Sequence, residues 1–160
     1  MDIRRQDGTR SHGADQDWYT LPWRQRAGCG PTTASAQMAY LAALRPSLAA
    51  LCPLEGREQG TFVTYMDQVW EYVTPGSHGL NRVEMYTDGV ARFCGERGVR
   101  LLPHALEVPI GEERPGFDRC VSFIRAGLAS DCPVAFLNLD NGEVEALDKW
   151  HWVLLSALEE

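Results

Sequence analysis

A cysteine between two glycines, followed by a proline and an apolar helical stretch, constrains this chain more than any other feature. The segment Gly28–Thr33 reads Gly-Cys-Gly-Pro-Thr-Thr. Proline is favoured at the first helical position, so we predict a helix from about Pro31 to Arg45 that begins beside Cys29. The dipole and free N–H groups of a helix N-terminus favour a thiolate, and the glycines allow a tight turn and a close approach by another segment. These are the requirements of a cysteine nucleophile; the alternative is a buried cysteine at a helix start.

Length, composition and charge exclude several classes of protein. The 160 residues are 44% hydrophobic and 23% charged, which indicates one globular domain. A net charge of −7 argues against a nucleic-acid binder, and no apolar run is long enough for a membrane span. The segment Met1–Gly8 lacks the apolar core of a signal peptide. Five scattered cysteines without a C-x-x-C pair indicate reduced thiols in the cytoplasm, with no metal site or cofactor.

Hydrophobic periodicity predicts an α+β domain. Residues 1–17 are polar and are predicted to be a flexible arm before a single domain over residues 18–160, and the aromatic segment Trp18–Trp23 is predicted to be extended. Further helices are predicted at Thr61–Val73, Asn81–Arg97 and Asp118–Ala129, and Gly98 suits the position after a helix end. Strands are predicted at Val99–Leu106, Pro133–Leu139 and Trp150–Leu158, the last two pairing antiparallel across the turn Asp140-Asn141-Gly142.

One of the four histidines is selected as the partner of Cys29. A cysteine nucleophile needs a histidine to accept its proton and later to protonate the leaving group. His151 begins the last predicted strand between Trp150 and Trp152, where it would be held firmly and partly shielded from water. His12, His78 and His104 are interpreted as ordinary surface or core residues.

The Cys29 motif at a helix start and His151-Trp152-Val153-Leu154-Leu155 on a late strand together resemble the papain-like cysteine peptidases. Within that superfamily they are most similar to the bacteriocin-leader-processing peptidases and their stand-alone peptidase-like relatives. The resemblance implies a papain-like fold, in which an N-terminal helical part carries the cysteine helix and this helix packs against a C-terminal antiparallel sheet. It also implies a thiol-dependent hydrolase that cleaves a peptide or small amide substrate.

Two further catalytic roles follow from the same resemblance. A glutamine upstream of the cysteine stabilises the oxyanion in that family, and Gln25 is the candidate here, although its spacing from Cys29 is shorter than usual. The family's histidine-orienting Asp or Asn follows the histidine, where this sequence ends. Either the chain is a fragment that lacks the last strands, or the orienter comes from the preceding strand and turn. Asp140 is then the candidate by charge, with Asn138 and Asn141 as neighbours and a simple turn role as the alternative.

An unpaired C-terminal edge strand would also invite a homodimer or a partner chain. The sequence leaves three functions open. The leading one is hydrolysis through a Cys29 acyl-enzyme with His151 as general base and acid. The same residues could carry acyl transfer or transpeptidation. The absent orienter and the short Gln25 spacing favour a non-catalytic peptide-binding pseudoenzyme instead.

Overall fold

The computed structural model describes residues 1–140 and 142–159. The α-helices in this part of the chain are α1 (Pro22–Ala27), α2 (Cys29–Leu44), α3 (Gln59–Trp70), α4 (Val83–Glu96) and α5 (Phe117–Ala129). The strands are β1 (Asp2–Arg4), β2 (Arg10–His12), β3 (Val134–Asn138) and β4 (His151–Leu155), and short 3-10 helices cover Gln16–Trp18 and Pro46–Leu51. Strands β1 and β2 form one antiparallel sheet, and β3 and β4 form another. The predicted α+β class is therefore confirmed.

Helix α2 lies at the centre of the core. It is buried from Gly30 to Leu41 on almost every side, with only Gln37 and Tyr40 partly exposed in that span. Its residues are mostly small, and small residues allow close contact with neighbours in all directions. The helix contacts α3, α4 and both strands of the β3–β4 hairpin. The predicted packing of the cysteine helix against the C-terminal strand pair is thus present.

The β3–β4 hairpin has the predicted antiparallel pairing, with Asn138 opposite His151 and Leu137 opposite Trp152. Its inner face packs on the core through Leu137 and Trp152. The Trp152 indole stacks on Tyr86 with ring centroids 4.5 Å apart, and its Nε1 donates a hydrogen bond of 2.6 Å to the carbonyl of Leu80. Within the described residues β4 pairs only with β3, so the association through this edge that the sequence suggests stays a prediction.

The other face of the hairpin lies against α5. A Cβ atom placed on Gly127 of α5 would lie 2.7 Å from Cγ2 of Val134, so the helix approaches the strand closely at this glycine. Side chains alternate along a strand, and Val134 therefore shares its face with Asn138 and not with Leu137. The hairpin is a layer between the α2 core and α5.

The first residues differ from the flexible arm that their composition predicts. Ile3 is fully buried in the core, and β1 pairs with β2 across a turn in which Asp7 Oδ1 accepts a hydrogen bond from the Thr9 amide. The Arg4 amide donates to the carbonyl of Arg57 at 2.8 Å, which joins the hairpin to the segment before α3. Ile3 anchors the hairpin together with Met1 and Ala14, which pack against the same core. Burying an isoleucine side chain contributes about 1.5–3 kcal/mol.

Two further local predictions were wrong, and the others were close. Residues 18–23 are not extended throughout, because α1 begins at Pro22, a residue suited to a first helical position. Residues 99–106 form no strand, since no neighbouring strand pairs with them, and Leu102 is 74% exposed. The other helices and strands lie within a few residues of their predicted bounds. Gly98 has a positive φ of 69°, as expected after the end of α4.

Buried phenols and a buried thiol predict a loss of stability at alkaline pH. Burial raises the pKa of Tyr19, Tyr65 and Tyr86 well above the ordinary value of 10.0, and it raises the pKa of Cys94 from 9.0 to about 11. A group with a raised pKa in the folded state contributes stability that is complete below its unfolded pKa and is lost as the pH rises above it.

We therefore expect the free energy of unfolding to be constant near neutral pH and to fall from about pH 9 upwards, where the unfolded thiol and then the unfolded phenols ionise. Urea unfolding followed by far-UV circular dichroism at a series of pH values measures this. Cys94→Val should reduce the earliest part of the fall, to which the buried thiols of Cys52 and Cys132 also contribute. A midpoint that stays constant from about pH 8 to 10.5 would contradict the prediction.

Candidate active site

Cys29 is the first residue of α2, and its free thiol side chain is only partly buried. The flanking glycines make this position possible. A Cβ atom on Gly28 would lie 2.3 Å from the carbonyl oxygen of Arg24, and one on Gly30 would lie 2.4 Å from Cδ2 of Leu80. The sequence-based inference that the glycines admit a close neighbour is therefore correct, and the neighbours are α1 and the segment before α4.

Cys29 lines a cleft of about 280 Å³. Its apolar walls come from α1, from the segment before α4 and from the β3–β4 hairpin: Trp23, Ala27, Leu80, Leu137, Leu139 and Trp150. Its polar lining residues are Arg26, Ser77, His78 and Asn81. The cysteine therefore faces an accessible space that contains both apolar surface and groups able to form hydrogen bonds.

His78 lies on this cleft at the tip of a tight turn. The backbones of Gly76 and Gly79 exchange two hydrogen bonds of 3.1 and 3.0 Å, which close the turn. The Ser77 hydroxyl lies 3.1 Å from Nδ1 of His78, and this contact leaves Nε2 of the ring without a partner among the described residues. Leu80, directly after the turn, packs against Gly30, so the turn is held beside the start of α2.

His151 begins β4 on the face of the hairpin opposite to the cleft. Leu137 and Trp152 point toward the core, and Leu137 also lines the cleft. Because successive side chains of a strand point to opposite faces, His151 shares the other face with Asn138. Among the described residues, His151 does not line the cleft and makes no hydrogen bond with the Cys29 thiol. The structure brings His78, and not His151, onto the same cleft as Cys29.

Gln25 uses both hydrogens of its side-chain amide within the protein. Nε2 donates to the carbonyl of Asp17 at 3.1 Å and to the carbonyl of Tyr19 at 2.8 Å. The Gln25 carbonyl in turn accepts a hydrogen bond from Nε2 of Gln16. An oxyanion donor needs an uncommitted N–H. In this structure the Gln25 side-chain amide instead links α1 to the segment that precedes it.

Asp140 belongs to the turn between β3 and β4. Its Oδ1 accepts a hydrogen bond from the Gly142 amide at 3.0 Å and lies 3.8 Å from Nζ of Lys149. Its side chain is 79% exposed. These contacts correspond to the turn role that the sequence left open as an alternative to orienting His151.

The two asparagines near this turn complete the set of proposed orienters. Asn138 lies directly opposite His151 and is buried, and its Nδ2 donates to the carbonyl of Asp148 at 2.7 Å. Asn141, which the sequence also places near the histidine, lies outside the described residues. Of the described orienters, Asn138 is the one that the strand register places beside His151.

Burial makes three of the other cysteines less reactive as nucleophiles. Desolvation raises the pKa of Cys52 and of Cys132 above the ordinary value, and it raises the pKa of Cys94 to about 11. Since the thiolate is the nucleophilic form, a raised pKa lowers the reactive fraction at neutral pH. Cys120, on α5, is partly buried. Cys29 alone of the five is on the cleft described above.

Of the polar residues that line the cleft, sequence reasoning did not single out Arg26, and it interpreted His78 as an ordinary surface or core residue. The Gly-Ser-His-Gly segment does indicate a turn, and the charge of Arg26 near the cysteine motif is visible in the sequence. Their convergence depends on the contact between Leu80 and Gly30 and on the face that β4 presents, and no local pattern specifies either.

Comparisons of this chain with protein-family models, with curated proteins and with solved structures found no match.

Proposed function

We propose that this protein is a thiol-dependent hydrolase that cleaves a peptide or amide bond through an acyl-enzyme on Cys29. The observation that carries the proposal is that the partly exposed thiol at the start of α2 and the imidazole of His78 line one open cleft. A nucleophile, a proton acceptor and space for a substrate are the minimum for this reaction class.

The cleft residues suit the following sequence of steps. The Cys29 sulfur attacks the substrate carbonyl carbon as its proton passes to a histidine. The carbonyl oxygen becomes an oxyanion, which the N-terminal N–H groups of α2 stabilise. The imidazolium then protonates the leaving amine as the C–N bond breaks. A water molecule attacks the thioester, with the histidine accepting its proton, and releases the acid and the free thiol. An amine in place of this water gives acyl transfer.

The position of the two histidines favours His78 as the base. His78 lies on the cleft, and the Ser77 hydroxyl at Nδ1 leaves Nε2 available for the thiol proton. The resemblance to papain-like enzymes assigns the role to His151, which lies on the other face of the hairpin. The papain-like assignment itself is supported by the order of the elements, with the cysteine helix first and the paired strands after it, and by the packing of α2 against β4.

Alkylation kinetics test the proposal and separate the two histidines. At about pH 7, iodoacetamide should alkylate Cys29 faster than Cys52, Cys94 or Cys132, because burial suppresses the thiolates of the other three. We expect His78→Ala to slow the alkylation of Cys29 about ten-fold or more. Peptide mapping by mass spectrometry at timed intervals gives the rate for each cysteine. Hydrolysis of a fluorogenic peptide library by the wild type and by Cys29→Ser gives turnover.

Two variants serve as comparisons in this experiment. His104→Ala, in an exposed and irregular segment, should leave the Cys29 rate unchanged. If His78 is the base, His151→Ala should change the rate of Cys29 alkylation little. A large decrease in that rate in His151→Ala, with no decrease in His78→Ala, would identify His151 as the base instead. Equal slow labelling of all five cysteines, with no turnover, would overturn the proposal.

A non-catalytic peptide-binding module is the second candidate. It is favoured by the commitment of both Gln25 amide hydrogens to backbone carbonyls and by the absence of a thiol–imidazole hydrogen bond for Cys29 among the described residues. This candidate predicts that the wild type and Cys29→Ser bind peptides in the cleft equally well. It also predicts that the wild type cleaves none of them.

A further inference from the structure

The cleft at Cys29 differs in charge from the chain as a whole. The protein has 22 acidic and 15 basic residues and a net charge of −7. In the part of the chain that the structure describes, however, no carboxylate side chain lines the cleft, whereas Arg26 and His78 do. A concave site that carries an arginine and no carboxylate in an otherwise acidic molecule favours an anionic ligand over a cationic one.

The guanidinium group of Arg26 is uncommitted. Two residues earlier, the guanidinium of Arg24 is committed: it forms ion pairs with Asp67 at 2.6 Å and with Glu71 at 3.1 Å, and it lies over the Trp70 ring, 4.8 Å from the ring centroid. Arg26 is exposed and makes neither an ion pair nor a side-chain hydrogen bond with any described residue. Its planar array of donors is therefore free to bind a carboxylate of a ligand.

The same cleft exposes large apolar side chains. The exposed fraction is 46% for Trp23, 61% for Trp150 and 41% for Leu139. Trp150 also has a positive φ of 57°, which costs a bulky residue about 1–3 kcal/mol. Exposed tryptophans beside polar groups are typical of ligand-binding surfaces. The cleft therefore offers an apolar or aromatic ligand group a surface next to a free cation.

We propose that the cleft selects substrates in which a carboxylate lies next to a bulky apolar or aromatic group, such as an acidic or C-terminal carboxylate beside an aromatic residue of a peptide. Arg26 binds the carboxylate, and Trp23 and Trp150 contact the apolar group while the adjoining carbonyl faces Cys29. This inference rests on the proposed function for the identity of the reacting thiol, and its test uses the alkylation of that thiol rather than turnover.

The test compares two reagents that differ only in the terminal group, which is an anionic carboxylate in one and a neutral carboxamide in the other. N-iodoacetyl-phenylalanine carries a carboxylate, and N-iodoacetyl-phenylalaninamide does not; in both, the thiolate displaces iodide. The ratio of their rates at Cys29, divided by the same ratio for a free cysteine derivative in solution, reports binding of the carboxylate. We expect the wild type to prefer the acid and Arg26→Gln to reduce this preference about three- to five-fold. Added salt should reduce it in the wild type.

Arg114→Gln is the matched control, because Arg114 is an exposed arginine on a loop that does not line the cleft, and it should keep the wild-type ratio. Trp150→Ala should lower the rates of both phenylalanine reagents relative to iodoacetamide. The inference is overturned if Arg26→Gln retains the wild-type ratio or if Arg114→Gln loses it equally. Failure of the proposed function is separate: it would appear as histidine-independent alkylation by iodoacetamide and an absence of turnover.

Discussion

Replacing Trp152 with alanine is expected to lower the free energy of unfolding by about 3–5 kcal/mol, a large fraction of the 5–15 kcal/mol typical of a domain. The indole is 4% exposed, stacks on Tyr86, and donates its Nε1 hydrogen bond to the carbonyl of Leu80. Alanine would leave a cavity between β4 and α4 and an unpaired carbonyl. Urea unfolding followed by circular dichroism measures the loss, and a thermal midpoint lowered by roughly 10 °C should accompany it.

Trp150 is the matched control for this substitution. It is the same residue type two positions earlier, but it is 61% exposed. Trp150→Ala should therefore change the free energy of unfolding by less than about 1 kcal/mol. Trp152→Phe should fall between the two, because it keeps a ring against Tyr86 and loses the bond to Leu80. Equal effects of alanine at Trp150 and Trp152 would show that Trp152 is not buried between β4 and α4 as described above.

The second large effect is expected for Gly28→Ala. The new Cβ would lie 2.3 Å from the carbonyl oxygen of Arg24 and 2.7 Å from a ring carbon of Tyr19, which is itself buried. The Arg24 carbonyl belongs to the backbone of α1 and the Tyr19 ring is packed in the core, so relieving the contact requires α1 to shift. We expect a loss of about 2–3 kcal/mol in the free energy of unfolding. The shift should also carry Trp23 and Arg26 away from Cys29. Urea unfolding and the rate of Cys29 alkylation would record both effects.

Gly95→Ala tests whether this loss comes from the close contact or from alanine itself. Gly95 lies in α4, and a Cβ atom there would meet no atom within 4 Å. Alanine in an exposed helical position is favoured over glycine by up to about 1 kcal/mol, so this variant should be slightly more stable than the wild type. Stabilisation by alanine at both positions would rule out the tight contact at Gly28.

The site could be predicted only in part, and the reason lies in the strand that carries His151. From Trp150 to Leu155 this strand is apolar at nearly every position, so alternation defines two faces without indicating which of them is buried. Packing decides: Trp152 fits between Tyr86 and Leu80, and His151 is therefore turned to the other side. The same contact with Leu80 fixes the segment whose turn brings His78 onto the cleft.

The features that could be predicted from the sequence are those that depend on neighbouring residues along the chain. These are the start of a long helix at Cys29, the periodic helices after it, and the antiparallel strand pair joined by a turn. Tertiary contacts alone decided the features that depend on residues far apart: the burial of Ile3, the commitment of both Gln25 amide hydrogens, and the position of Arg26, His78 and Trp150 around the thiol. Local propensity and periodicity act over a few residues, whereas a site is formed where distant surfaces happen to fit.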